Sequence, residues 1–409
     1  MTRVIDSASA TEPLRILHVC PRPNFSGLES YALQMATAQA ALGHSVSMVV
    51  LPNSPLEARA RAANIPTLHA NVGTLTKLLT SPKRERQHER QHQTSNVADS
   101  GAGVTPPSVP SASPDIVHIH STQDLDLLMV PLFLSRFSAN RPRVILQTHI
   151  WISHSKKDPL HWMLYKLVDE MWCSSEPARE TLERFIPIDP KKIRVIRYGR
   201  DIKILESGFL PRAEARAALG LPQDATVVGT VARIDAGKGV RELFDACAQQ
   251  MESDPSLHLI WIGPPTTDDP KAVTLADEIM SRAREFPRMH FPGSVADSYK
   301  YLRAFDLFAL PTYAECFSLA LLEAQLAALP CLASASGGSP QIVRENETGW
   351  LFEPRSTEAC VSALKRALTD RAKWPTFGRT AHDQVVELYD SSKILPTTID
   401  RYREVLRRG

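Results

Sequence analysis

The feature that most restricts how this chain can pack is an alternation of short apolar runs with helical patterning, played through twice. Leu14 to Cys20 is an apolar run closed by Pro21 and Pro23. After a loop holding Gly27, helical spacing runs from Leu28 to Leu42, Gly43-His44 ends it, and Val46 to Leu51 is a second apolar run. Further runs follow at Ile116 to His120 and at Val144 to Gln147, the latter leading into Thr148-His149. Between Trp172 and Arg197 the chain reads as a strand, a helix around Ala178 to Phe185 and a strand from Ile193 to Ile196. A second series begins with the strand Thr226 to Val231, a helix from Val240 and the strand Leu257 to Ile262. It continues through Phe291-Pro292-Gly293, a helix Tyr299 to Ala304, the strand Leu307 to Leu310, a helix Ser318 to Leu329 and the strand Pro330 to Ala333. Such alternation predicts an α/β chain with two doubly wound parallel sheets. Ligands on sheets of this kind bind beyond the carboxyl ends of the strands, which directs attention to the loops there.

At 409 residues the chain is long enough for two such domains, and 43% hydrophobic with 22% charged residues is a globular composition. A formal net charge of +2 lacks the basic excess of a dedicated nucleic-acid binder. The six cysteines form no C-x-x-C pair and no zinc-type grouping, which fits a reducing cytoplasm. Met1 to Pro13 show no apolar core of a secretion signal, and no run approaches the roughly 18 apolar residues of a spanning helix. From Ser81 to Pro114 the composition turns charged and glutamine-rich, then rich in Ser, Gly and Pro; it is read as a disordered insertion, because it cannot bury enough apolar area to offset its ordering entropy.

The stretch richest in chemistry is Leu310 to Glu323. An apolar strand delivers Glu315 to its carboxyl end, a tight turn follows, and a helix opens near Ser318 with Glu323 in its second turn. The unpaired amides and dipole of a helix start attract phosphate, and the two carboxylates bracket that position. By itself an E-x(7)-E pair is equally a loop charge and a solvated helix residue. Val231 to Gly239 adds Arg233 and Lys238 just beyond a strand, with glycines flanking the lysine. A guanidinium forks across phosphate oxygens and an ammonium supplies a point charge, so the two suit the growing charge of a diphosphate leaving group. The spacing of a nucleotide-binding P-loop is absent.

Together these segments resemble the retaining glycosyltransferases of family 4, which have the GT-B fold: two Rossmann-like domains facing a cleft. Arg233 to Gly239 match the family's Arg and Lys-Gly before a helix, and Glu315 to Glu323 match its E-G-F-G-L-x-x-L-E. Gly337-Gly338 match a Gly-Gly turn, and Thr348 to Phe352 match T-G-x-L-F. In the first half, Pro23 to Glu29 resemble the glycine-rich first loop, and Thr148-His149 resemble T-x-H. Val195 to Asp201 resemble the V-I-x-N-G-V-D hinge. The boundaries this implies are an acceptor-side domain over 1–199, a nucleotide-sugar domain over 200–385, and a C-terminal helix over 386–409 returning to the first domain. Departures are Cys316 and Ser318 where glycines are usual, Ile150 and Trp151 where an Asp is frequent after the His, and Gln341 in place of a common Glu.

The resemblance implies transfer from a UDP- or GDP-linked sugar with retention at the anomeric carbon, with no cofactor and no metal. Arg233, Lys238 and the helix start at Phe317, Ser318 and Leu319 would hold the diphosphate, Glu315 the sugar hydroxyls and Glu323 the ribose. His149 would lie by the transferred sugar, Gly27 at the close approach of the first loop, and His120 near the acceptor. His118 and His120 are read as pointing to opposite faces of their strand. Asp124-Leu125-Asp126 could serve as a metal clamp of another transferase fold, but the apolar run behind it favours a helix start. Competing functions are a sugar-nucleotide epimerase, a phosphorylase, or a non-catalytic partner protein of the same fold. Basic and aromatic residues from Trp151 to Lys166 (His154, Lys156, Lys157, His161 and Trp162 among them) suit an anionic lipid surface as well as a solvated helix. The expected acceptor is a glycan or lipid-linked glycan in bacterial surface polysaccharide synthesis, and the expected location is the cytoplasm, peripheral to the membrane.

Overall fold

A strand covered on both faces is largely apolar, and the parallel strands here are so apart from buried polar positions such as His18, His118 and Glu170. The computed structural model describes residues 12–25, 27–81, 112–138, 140–152, 154–267 and 269–408. The chain forms two compact units: Met1–Cys173 with Arg179–Ile196 and Leu395–Gly409, and Ser174–Ala178 with Arg197–Ile394.

In the first unit β1 (Arg15–Val19), β2 (Ser45–Val50), β3 (Thr67–His69), β4 (Ile116–Ile119), β5 (Arg143–Gln147), β6 (Glu170–Cys173) and β7 (Ile193–Val195) form one parallel sheet. Their order is β3-β2-β1-β4-β5-β6-β7. The core gathers Ile16, Met48, Ile116, Ile145 and Trp172 with Tyr402 of the C-terminal helix Ser391–Arg407. Trp172 and Tyr402 stack with ring centroids 5.3 Å apart. On that helix Arg401 forms an ion pair with the buried Glu170.

The second unit contains β8 (Thr226–Val231), β9 (Leu257–Ile262), β10 (Met289–Gly293), β11 (Leu307–Leu310), β12 (Cys331–Ser334) and β13 (Gly349–Phe352). All pairings are parallel, in the order β10-β9-β8-β11-β12-β13. Trp261, Phe244, Leu259, Leu332 and Trp350 pack at its centre. Both sheets reverse direction of growth once, between β1 and β4 and between β8 and β11. Those reversals open crevices at the carboxyl ends of the strands.

Several helices carry sharp local signals. Ser54, Asp158 and Asp269 cap helices whose first residue is Pro55, Pro159 and Pro270. A side-chain acceptor there satisfies an orphan amide, and proline at the first position removes another. The segment read as a helix over Tyr299 to Ala304 is a 3-10 helix, Ser298–Ala304. Most of the proposed 81–114 insertion, 82–111, lies outside the described residues. Its edges belong to the fold: Ser81 closes the helix Val72–Thr80, Ala112 and Ser113 are buried, and Ser113 Oγ donates to Leu79 O at 3.4 Å.

Candidate functional site

In the second unit, three loops at the carboxyl ends of β8, β11 and β12 lock onto one another. Beyond β8, Arg233 is exposed and, among the described residues, makes no ion pair. Asp235 then accepts a hydrogen bond from Gly237 N at 2.9 Å and starts the short turn Ala236–Lys238. Gly239 has φ 66°, and a Cβ on it would lie 2.1 Å from Pro311 O. Only glycine permits that approach, so the loop after β8 packs backbone to backbone on the loop after β11. Tyr313 N donates to Gly237 O at 2.7 Å and Thr312 Oγ1 to the same oxygen at 3.1 Å. The result places Lys238 Nζ 2.8 Å from Glu315 Oε2, with both side chains about one-fifth exposed (23% and 21%).

The loop after β12 holds the other side of Glu315. Gly337 has φ 53°, a Cβ there would fall 1.8 Å from Glu315 O, and Gly338 N donates to that oxygen at 2.9 Å. Ser336 Oγ donates to Tyr313 O at 2.7 Å, and Ser334 Oγ to Thr312 O. The helix itself is Leu319–Leu326, capped by Ser318, whose Oγ accepts from Leu321 N at 3.2 Å. Ser318 therefore has a use its glycine counterpart lacks. Cys316 is buried, with its carbonyl accepting from Ser175 Oγ at 2.9 Å. The Phe317 ring packs edge-on against Tyr198 at 5.1 Å and beside Tyr389 at 5.5 Å. With Leu321 N taken by the cap, the amides of Ser318, Leu319 and Ala320 have no acceptor inside the helix, and they overlap the Phe317-to-Leu319 start read from the sequence.

Glu323, in the same helix, forms an ion pair with Arg200. Burial pushes its carboxyl above the usual range, and the guanidinium works against that shift. Gln341 is exposed.

The first unit presents a separate set. Gly27 is the exposed first residue of the helix Gly27–Ala41 and not a loop residue. Arg22, after β1, pairs with Asp124 at 3.0 Å and donates to Gln123 Oε1 at 2.7 Å. Burial raises the Asp124 carboxyl to about 7. Asp124 immediately precedes the helix Leu125–Ser135, so Asp124-Leu125-Asp126 is a helix start. His118 and His120 do not point to opposite faces: their rings stack at 4.5 Å. Residues two apart on a strand share a face, and the opposite-face reading misapplied that period. His149 Nε2 lies 3.3 Å from His120 Nδ1, and Thr148 Oγ1 donates to Ile150 O at 3.2 Å. Burial lowers the imidazole of His149 to about 3 and that of His120 well below its ordinary value, so both rings are neutral.

The family model for glycosyl transferases group 1 matches residues 211–384, and that for glycosyltransferase family 4 matches residues 25–203. The chain belongs to glycosyltransferase family 4. A D-inositol 3-phosphate glycosyltransferase of Rhodococcus opacus is 34% identical over 212 residues, 50% of this chain and 46% of that relative. Another, of Mycobacterium bovis, is 38% identical over 186 residues, 44% of this chain and 37% of the relative. The chain thus matches less than half the length of these curated relatives. A glycosyltransferase structure from Rickettsia africae superposes with a TM-score of 0.77 at 16% identity, covering 97% of this chain and 100% of that one. Anabaena HepE, in complex with UDP and glucose, gives 0.73 at 18% identity, covering 95% and 99%. These likenesses give the fold, GT-B.

Within the family 4 pattern the T-G-x-L-F segment is β13, and a Cβ on Gly349 would meet Cys331 O at 1.8 Å. That glycine is a packing requirement between neighbouring strands. Sequence reasoning passed over Arg200, which occupies the Val position of the family hinge and has no signal of its own. It also passed over Glu242, which accepts from Tyr313 OH, and Ser175; both partners are distant in sequence and only the folded chain pairs them.

Proposed function

We propose that this protein is a retaining glycosyltransferase that moves a sugar from a UDP- or GDP-linked donor to a glycan or lipid-linked acceptor without a metal ion. The observation that carries the reading is the Lys238–Glu315 pair at the reversal of the second sheet, with exposed Arg233 on the same loop. The names of the relatives and the UDP and glucose held by Anabaena HepE support it. Arg233, Lys238 and the helix start at Phe317, Ser318 and Leu319 take the diphosphate, Glu315 the sugar hydroxyls and Glu323 the ribose. His149 and Gly27 are assigned to the sugar and the donor phosphate on their motifs alone. The anomeric C–O bond to the diphosphate breaks as the acceptor oxygen bonds to the same carbon, and the acceptor proton goes to the departing phosphate. Charge develops on the leaving group, so its fixed cations are the main source of acceleration.

The acceptor reading places the enzyme at the cytoplasmic face of a membrane, in surface polysaccharide assembly. Its support is a set of apolar residues, Val130, Phe133, Leu134 and Phe137, 45%, 48%, 41% and 80% exposed. Val130, Phe133 and Leu134, at i, i+3 and i+4, share one face of the helix Leu125–Ser135 and Phe137 lies in the turn after it, where exposed Arg136 donates to the carbonyl of exposed Lys166 at 3.0 Å. No helix among the described residues is long and apolar enough to cross a membrane. Incubation of purified protein with UDP- and GDP-sugars and a lipid-linked glycan extract tests the reading. The expected result is release of nucleoside diphosphate with an axial-donor sugar appearing in unchanged anomeric form; an inverted product, or sugar phosphate released by added orthophosphate, contradicts it.

A further inference from the structure

Four histidines meet inside the first unit without a role in the chemistry above, apart from His149. His18 lies on β1, His118 on β4, His120 just beyond β4 and His149 just beyond β5. The first three are fully buried. His149 Nε2 stands 3.3 Å from His120 Nδ1, His120 Nε2 2.8 Å from His18 Nδ1, and His18 Nε2 2.8 Å from Gln39 Oε1. Gln39 Nε2 donates to Tyr402 OH at 3.3 Å, and that hydroxyl lies 2.5 Å from His118 Nδ1.

Burial holds all four imidazoles neutral, with His18 lowered to about 4. A neutral imidazole has one N–H and one lone pair, so these bonds cannot be set independently. Gln39 Oε1 can only accept, so His18 carries its proton on Nε2 and accepts at Nδ1. His120 must then donate from Nε2 and accept at Nδ1, and His149 must donate from Nε2.

We propose that Gln39, acting through His18 and His120, is a positioning residue that fixes His149, the ring assigned above to the transferred sugar, in its Nε2–H tautomer. The catalytic consequence rests on the transferase reading; the tautomer does not. The three inner rings also bring one nitrogen each within 4.8 Å of the others, as a metal site would. The 2.8 Å between His18 and His120 is nevertheless a hydrogen-bond distance. Two ligands of one tetrahedral zinc ion would stand roughly 3.3 Å apart.

Protein labelled with 15N-histidine, read by two-bond proton–nitrogen correlation at neutral pH, tests this. The His149 signals are identified by their loss in His149→Asn. His18, His120 and His149 are expected in the Nε2–H form. Gln39→Met removes the acceptor at similar volume and should convert His149 to a mixture or to Nδ1–H, lowering kcat on the order of tenfold with donor KM unchanged. Gln39→Glu keeps an acceptor oxygen and should restore the Nε2–H form. An Nδ1–H His149 in the wild type, or one indifferent to Gln39→Met, overturns the proposal. So does a joint shift of His18, His118 and His120 on adding one equivalent of Zn2+, which would make the cluster a metal site. If Gln39→Met does not fold, the wild-type pattern decides. Absence of transfer in a wild type showing the expected tautomers would instead count against the transferase reading.

Discussion

Lys238 Nζ lies 2.8 Å from Glu315 Oε2, an ion pair that joins the loop leaving β8 to the loop leaving β11. The ammonium assigned to a diphosphate and the carboxylate assigned to a sugar thus hold each other in place across the reversal of one sheet. Lys238→Ala should lower kcat/KM about 10²-fold, as removal of a charge that stabilises a leaving group does. Glu315→Ala should also cost activity, and the double variant should lose less than the product of the two, because the residues touch. Steady-state kinetics of the four proteins checks this; fully multiplicative losses would separate the two roles.

The loop after β12 gives a sharper structural prediction. Gly337→Ala puts a Cβ where Glu315 O now stands, 1.8 Å away, at a backbone φ of 53°. The conformation alone costs roughly 1–2 kcal/mol, and displacing Glu315 adds to it. Gly43 offers the comparison: its φ is 87° and a Cβ would meet nothing within 4 Å. Urea denaturation should show Gly337→Ala to be the more destabilised, and donor turnover should fall only in that variant.

Arg200 and Glu323 make a largely buried pair, 10% and 17% exposed. Arg200→Met should cost on the order of 3 kcal/mol by stranding the carboxylate, while Arg200→Met with Glu323→Gln should recover much of that. Denaturant midpoints measure both. A double variant as unstable as the single one would show the ion pair is not the cause.

The buried histidines make stability depend on pH with a definite sign. In the folded chain His18 takes its proton only near pH 4 and His149 near 3, against 6.5 for the free side chain. Below 6.5 the unfolded state binds protons that the folded state refuses, so stability is full above that pH and falls as pH drops toward 4. For His18 the complete loss is about 3 kcal/mol. Urea midpoints taken from pH 7.5 down to 5 should fall with a slope of more than one proton; a flat profile would contradict the burial.

The exposed apolar residues on the Leu125–Ser135 helix and in the turn after it predict binding to lipid. Phe133→Ser with Phe137→Ser should reduce sedimentation with anionic vesicles several-fold while leaving the fold intact, since both rings are exposed. Equal sedimentation of wild type and variant, or binding indifferent to anionic lipid, would remove the membrane from the account.

Much of this was legible in the sequence because buried parallel strands declare themselves. Thr226 to Val231, Leu257 to Ile262 and Leu307 to Leu310 are the strands β8, β9 and β11 as observed. The three-residue β3 and the helix Pro270–Ala283 were passed over, the first for shortness and the second because its one buried stripe sits between polar loops. At the site, the motif residues were visible but their partners were not. Nothing local joins Arg200 to Glu323 or Gln39 to His18. The pairing of His118 with His120 was legible, since a period of two decides it.

Arg233 and Lys238 are the groups proposed to neutralise a pyrophosphate. Calorimetric titration of UDP and of uridine, or of GDP and guanosine, into wild type and the Arg233→Ala/Lys238→Ala protein tests that role most directly. The double variant is expected to lose about 10²-fold or more in affinity for the diphosphate and none for the nucleoside. Equal diphosphate affinity in the two proteins would contradict it.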